Sequence, residues 1–172
     1  MDAVGESLRK TFSGAEVYPS LVDEFFAVMR PLILRGDREK SLKVGKLAVD
    51  LYPRSDITNT LYAVALLSSG DRAGAQELLK KAVEIDAGGI ASAGGLNSIA
   101  YQLAGAGRPE EGIELLKLAA EMHPREANLY DSIGEFYLNT GQKEKAVEYY
   151  RKALEVNPNF ENAKQMLEKI TK

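Results

Sequence analysis

The sequence predicts an all-α fold, a solenoid of antiparallel helix pairs, and three observations predict it. Glycines return at a fixed step: 34 from Gly36 to Gly70 and 34 from Gly107 to Gly141, with 37 between Gly70 and Gly107. An alanine follows each in register, at Ala48, Ala82, Ala119 and Ala153, and a little further on stand Pro53, Ala87, Pro124 and Pro158. Apolar residues recur at helical spacing, as in Ile133, Phe136 and Tyr137, then Val147, Tyr150, Ala153 and Leu154; no segment alternates as a half-buried strand would. A period of this size marks a repeat architecture, in which each unit buries its apolar face against its neighbours.

Composition narrows the class. Of 172 residues, 45% are hydrophobic and 27% charged, which excludes a wholly disordered chain. Lys and Arg number 22 against 25 Asp and Glu, so the net charge of −3 offers no basic surplus for nucleic acid. Cysteine is absent, which excludes disulfides, thiolate metal sites and cysteine nucleophiles. The longest apolar runs, such as Ala63 to Leu67, fall far short of the roughly 20 residues that span a bilayer, and no membrane insertion is expected. The first residues, Met1 to Glu6, are acidic and lack the apolar stretch of a signal peptide. The expected compartment is the cytoplasm, or the periplasm if a further segment precedes Met1.

The elements follow in order. Residues 1–21 carry Val4, Leu8 and Phe12 at helical spacing and read as an N-terminal helical cap or a linker. Four repeats span 22–160: residues 22–55, 56–89, 93–126 and 127–160. The first holds Phe25, Val28, Leu32, Ala48 and Pro53, and its Pro31 should kink the first helix or shorten it to a start near Leu32. The second holds Tyr62, Ala63, Leu66, Ala75, Leu79 and Ala82. Three extra residues in the glycine-rich stretch 88–95 predict a longer, mobile loop before the third. The third holds Leu96, Ile99, Ala100, Leu103, Gly112, Leu116, Ala119 and Pro124; the fourth holds Tyr130, Ile133, Gly134, Tyr137, Ala146, Tyr150, Ala153 and Pro158. Residues 161–172 place Met166, Leu167 and Ile170 on one face and read as a C-terminal capping helix. Each recurring glycine can take positive φ and end a first helix, Asp37 and Asp71 suit the N-terminus of the next, and the prolines stop the second. Small residues such as Ala63, Ala100 and Gly134 allow the helices to cross closely.

With these residues in these places, the four units resemble the tetratricopeptide repeat, a 34-residue helix–turn–helix. The first copy departs most, with Met29 and Gly45 where the pattern has a small and an aromatic residue; the second departs at Asn59 and Ala87. The resemblance implies a right-handed superhelical solenoid whose first helices line a concave groove for a peptide or a partner's helix. Carried over by position, that groove would display Phe26, Arg30, Thr60, Val64, Asn97, Tyr101, Asn128, Asp131, Glu135 and Asn139. Phe26 and Tyr101 are the strongest candidates, because aromatic residues are enriched at binding hot spots. Repeats that clamp a C-terminal carboxylate use Lys, Arg and Asn where this chain has Phe26, Arg30, Leu61, Gly94 and Ser98, so acidic tails are not the expected ligand. The groove is apolar near repeats one and two and acidic near repeat four, which favours a neutral or basic ligand there. Residues 96–103, 121–124 and 127–135 are also similar to a C-terminal module of bacterial serine hydrolases; that likeness implies an accessory module for a catalytic domain absent from this chain.

Catalytic constellations are missing from the sequence. The single histidine, His123, precedes Pro124 at a helix end and reads as structural; one histidine without cysteine cannot build the usual zinc sets. Ser7 to Lys10 matches the S-x-x-K spacing without its S-D-N or K-T-G companions. Residues 90–94 lack the first glycine of a nucleophile elbow, and Gly105-Ala106-Gly107 follows no strand. The expectation is a non-enzymatic interaction scaffold with no metal or cofactor. Its partner would be a protein or peptide, or a second copy docking through exposed aromatics such as Tyr149 on second helices.

Overall fold

First helices open at Val22, Asp56, Ala93 and Ala127, and second helices at Arg38, Arg72, Pro109 and Lys143, so both series keep the rhythm of the glycines. These positions come from a computed structural model, which describes residues 21–171. Among the described residues there are nine helices and no strand: α1 (Val22–Leu34), α2 (Arg38–Leu51), α3 (Asp56–Ser69), α4 (Arg72–Ile85), α5 (Ala93–Gly105), α6 (Pro109–Met122), α7 (Ala127–Asn139), α8 (Lys143–Val156) and α9 (Glu161–Thr171). The expected N-terminal cap or linker, and Ser7 to Lys10 within it, lie outside the described residues. The chain divides at Gly89/Ile90 into two compact units. In the first, α1 to α4 pack on their sequence neighbours and α1 also packs on α3; in the second, α5 to α9 do the same and α5 meets α7.

The turns inside the pairs share one geometry. Gly36, Gly70, Gly107 and Gly141 have φ of 73°, 94°, 80° and 77°, and among the described residues no other type has positive φ. At each, the glycine N–H and the following N–H bond back onto the helix end, as in Gly70 to the Leu67 carbonyl at 3.0 Å and Asp71 to the Leu66 carbonyl at 2.9 Å. This is the Schellman closure, which uses carbonyls that the helix end would otherwise leave bare. Asp37 accepts from Lys40 N at 3.2 Å and Asp71 from Gly74 N at 2.9 Å, as their positions predict. Gly105 and Gly107 make a matched test. A Cβ at either would meet nothing within 4 Å, but only Gly107 has positive φ. Gly107→Ala should lose about 1–2 kcal/mol to left-handed backbone strain. Gly105→Ala should gain about 0.4–1 kcal/mol by restricting the unfolded chain. Urea unfolding of the two variants would show shifts of opposite sign; a shared sign would mean backbone conformation does not govern this turn.

Of the two outcomes expected at Pro31, the shortened helix does not occur. The helix around Pro31 neither stops before it nor begins after it: α1 runs through Pro31 to Leu34. The ring sits in the last turn, its missing N–H takes a donor from the Ala27 carbonyl alone, and Arg35 N still donates to the Pro31 carbonyl at 3.0 Å.

At one register position of each helix pair a large buried residue is matched with a small one. By register the matching positions are Met29 and Gly45, Ala63 and Leu79, Ala100 and Leu116, and Gly134 and Tyr150; all eight are buried, and the first and last pairs meet directly. A Cβ on Gly134 would stand 3.0 Å from the Tyr150 ring; one on Gly45 would stand 2.8 Å from Met29 Cε. The first pair therefore keeps the packing by exchanging the sizes: the large residue comes from the first helix and the hole from the second. Close-packed interiors accept such exchanges when total volume is kept.

Candidate binding surface

In the second unit, α5 and α7 are first helices lying side by side. Asn97 and Tyr101 are one helical turn apart on α5, and Asp131 and Glu135 occupy the same positions one repeat later, on α7. This register joins them. The Tyr101 hydroxyl donates to Glu135 Oε2 at 2.6 Å, and the Tyr101 ring packs edge-on against Phe136 with centroids 5.0 Å apart. Tyr101 still leaves 40% of its surface to solvent. Asp131 is 6% exposed, and its two carboxylate oxygens accept from Asn162 Nδ2 on α9 at 3.0 and 2.8 Å.

The charge in this patch is unbalanced. Neither Asp131 nor Glu135 pairs with a cation among the described residues, whose ion pairs with named partners are short-range contacts within single helices or their caps. Partial burial and donation to Glu135 push the Tyr101 hydroxyl up to about 12. Burial raises the Asp131 carboxyl above its ordinary value, Asn162 pulls it down and the neighbouring Glu135 charge raises it further. A carboxyl raised by folding takes up its proton more readily when folded. Its contribution therefore favours the folded chain at low pH and is lost as pH rises from about 3.8 through the folded value. Asp131→Asn keeps an acceptor for Asn162 and removes the titration. Thermal unfolding followed from pH 4 to pH 7 should fall less steeply in the variant than in the parent; parallel profiles would show that Asp131 does not titrate on folding.

The remaining groove candidates are placed as follows. Asn97 is half-buried, with a side-chain carbonyl oxygen that has no partner, and Asn128 and Asn139 are exposed. In the first unit Phe26 is half-buried and Arg30 exposed. Thr60 and Val64, expected on display, are 0% and 1% exposed and belong to the core. The reason is that α3 packs against α1, α2 and α4 and is buried over most of its circumference from Thr58 to Ala65. Two residues near the acidic patch escaped the reading of the sequence. Tyr150 counts there only as repeat core, and Asn162 lies on the terminal helix, beyond the four copies. Asn162 follows Ala127 by about one further period, so a search for a fifth first helix would have found it.

A concavity of about 490 Å³ lies between α6, α7 and α8. Lys117 and Lys152 line it together with Glu121 and Glu155, beside Tyr130 and Tyr149, so the charges on its wall balance. His123 caps α6, its Nε2 3.3 Å from the Ala91 carbonyl, in keeping with a structural role. Among the described residues no group of three or more histidines and carboxylates could hold a metal, and no helix is long and apolar enough to cross a membrane.

Two of the helix pairs match a known family. The model of the tetratricopeptide repeat matches residues 58–88 and 127–160. The α3–α4 and α7–α8 pairs are the two that match this repeat. Solved structures with similar repeats include a MamA protein, 21% identical over 89% of this chain and 82% of that one, with a TM-score of 0.47. Pseudomonas aeruginosa pilF is 22% identical over 87% and 67%, with a TM-score of 0.46. MamA from Desulfovibrio magneticus RS-1 is 18% identical over 90% and 85%, with a TM-score of 0.44. No curated protein matches the chain. The likeness of residues 96–103, 121–124 and 127–135 to a serine-hydrolase module receives no support from these matches, and residues 127–135 fall inside a tetratricopeptide repeat.

Proposed function

We propose that the chain is a non-catalytic scaffold that binds a peptide or protein segment on the face formed by its first helices. The observation that carries this reading is the patch on α5 and α7, where a solvent-exposed aromatic residue, Tyr101, stands beside two carboxylates without a cation. A fold of stacked helix pairs supports it, since such repeats present extended surfaces for recognition. Asn128 and Asn139 extend the face in the second unit, Phe26 and Arg30 belong to the first helix of the first unit, and Thr60 and Val64 support that unit from within. Nothing among the described residues favours the reading as a hydrolase accessory module. The reading is tested by placing a photo-crosslinking residue at Tyr101 on α5, and separately at exposed Lys80 on the second helix α4, in the source cells. Discrete adducts from Tyr101 and none from Lys80 are expected; adducts from Lys80 alone would move the binding face to the second helices.

A further inference from the structure

The patch on α5 and α7 carries more information than its charge. Three acceptors and a hydroxyl, which can both donate and accept, are gathered there with capacity unused. Glu135 accepts the Tyr101 hydroxyl on Oε2, and no donor meets its Oε1 among the described residues. Asp131 carries its charge at 6% exposure with a neutral amide as its side-chain partner. The Asn97 carbonyl oxygen, one turn before Tyr101, is buried without a partner. Tyr150, 0% exposed, has a hydroxyl without a partner, and the charges of Asp131 and Glu135 both act on it. Buried polar atoms are nearly always paired in native proteins, so two unpaired ones beside an uncompensated carboxylate pair call for an occupant. Two carboxylates and an unpaired amide oxygen are best met by an occupant that brings positive charge and several N–H donors. Ammonium offers three donors on a compact, strongly hydrated charge; guanidinium offers five in a plane, is more weakly hydrated and stacks on aromatic rings such as Tyr101.

We infer that Asn97, Tyr101, Asp131 and Glu135, with the Tyr150 hydroxyl among them, form a subsite for the guanidinium of an arginine side chain on a partner peptide. The inference rests on the first-helix face being the binding face. Charge-assisted bonds to Glu135 and Asp131 hold the cation, the Tyr101 ring covers it, and the amide of Asn97 supplies an acceptor. The net charge of the patch then falls to about −1, which relieves the burial of Asp131.

The test is selection of randomised displayed peptides on the full chain, followed by synthesis of those selected in arginine, lysine and citrulline forms. Citrulline keeps the shape and removes the charge, so the parent protein alone can decide the matter. The expected result is enrichment of arginine, about tenfold weaker binding of the citrulline form at about 100 mM salt, intermediate binding of the lysine form, and loss of the arginine preference in Glu135→Gln. Peptides that bind through Tyr101 yet show no preference for arginine over citrulline would overturn the subsite and leave the binding face standing. Failure to select any peptide sensitive to Tyr101→Ala would overturn both.

Discussion

Truncating Tyr150 to Ala should remove about 3–5 kcal/mol of stability, whereas Tyr150→Phe should cost nothing and gain up to about 1 kcal/mol. The ring is fully buried and fills the space that Gly134 leaves on the facing helix. A glycine cannot collapse into the hole, so truncation both loses contacts and leaves an empty cavity. The hydroxyl has no partner, and a buried donor without one is a liability that Phe removes. Urea unfolding of the three proteins separates ring from hydroxyl, because the midpoints report stability when the slopes agree. If Phe proves as harmful as Ala, the hydroxyl has a partner in solution and the arginine subsite loses one of its acceptors.

Gly45→Leu should cost about 1–3 kcal/mol and Met29→Ala about 2–5 kcal/mol, yet the double variant should cost clearly less than their sum. A Cβ on Gly45 would stand 2.8 Å from Met29 Cε and 2.6 Å from Tyr62 Cδ2. Shortening Met29 relieves the first contact and gives the new side chain its hole, which converts repeat one to the arrangement found in repeats two and three. The Tyr62 contact persists in the double variant, so recovery stays incomplete; that side chain is half-buried and able to shift. A coupling above about 0.5 kcal/mol in the double-mutant cycle supports size exchange. Strict additivity would mean that Met29 and Gly45 do not share one space.

Sequence period alone carried the all-α repeat fold, because each copy places glycine and alanine, and three of the four a proline, where backbone geometry admits few alternatives. The positive-φ glycines and the Asp37 and Asp71 caps were legible for the same reason: they answer local requirements. What the period hid was pairwise. Met29 and Gly45 look like two departures from the pattern when read singly, and only their close approach shows that the large side chain occupies the room the glycine leaves. Thr60 and Val64 occupy groove positions in the register, but burial depends on what packs around α3, which no spacing reveals. The acidic patch was half legible. Asp131 and Glu135 announced two charges on one helix face, while Asn162 and the Tyr150 hydroxyl enter it from elements that the motif assigns to the cap and the core.

In both units helices pack on the neighbours that immediately precede or follow them, or on the first helix of the next pair. Few contacts require distant parts of the chain to meet, and such topologies fold quickly because little loop entropy is lost before packing compensates it. During synthesis at about 5–20 residues per second, a helix pair needs only seconds to emerge. The first pairs can close on the ribosome while the last are still being translated, so the nascent protein never has to hold its whole apolar surface open at once.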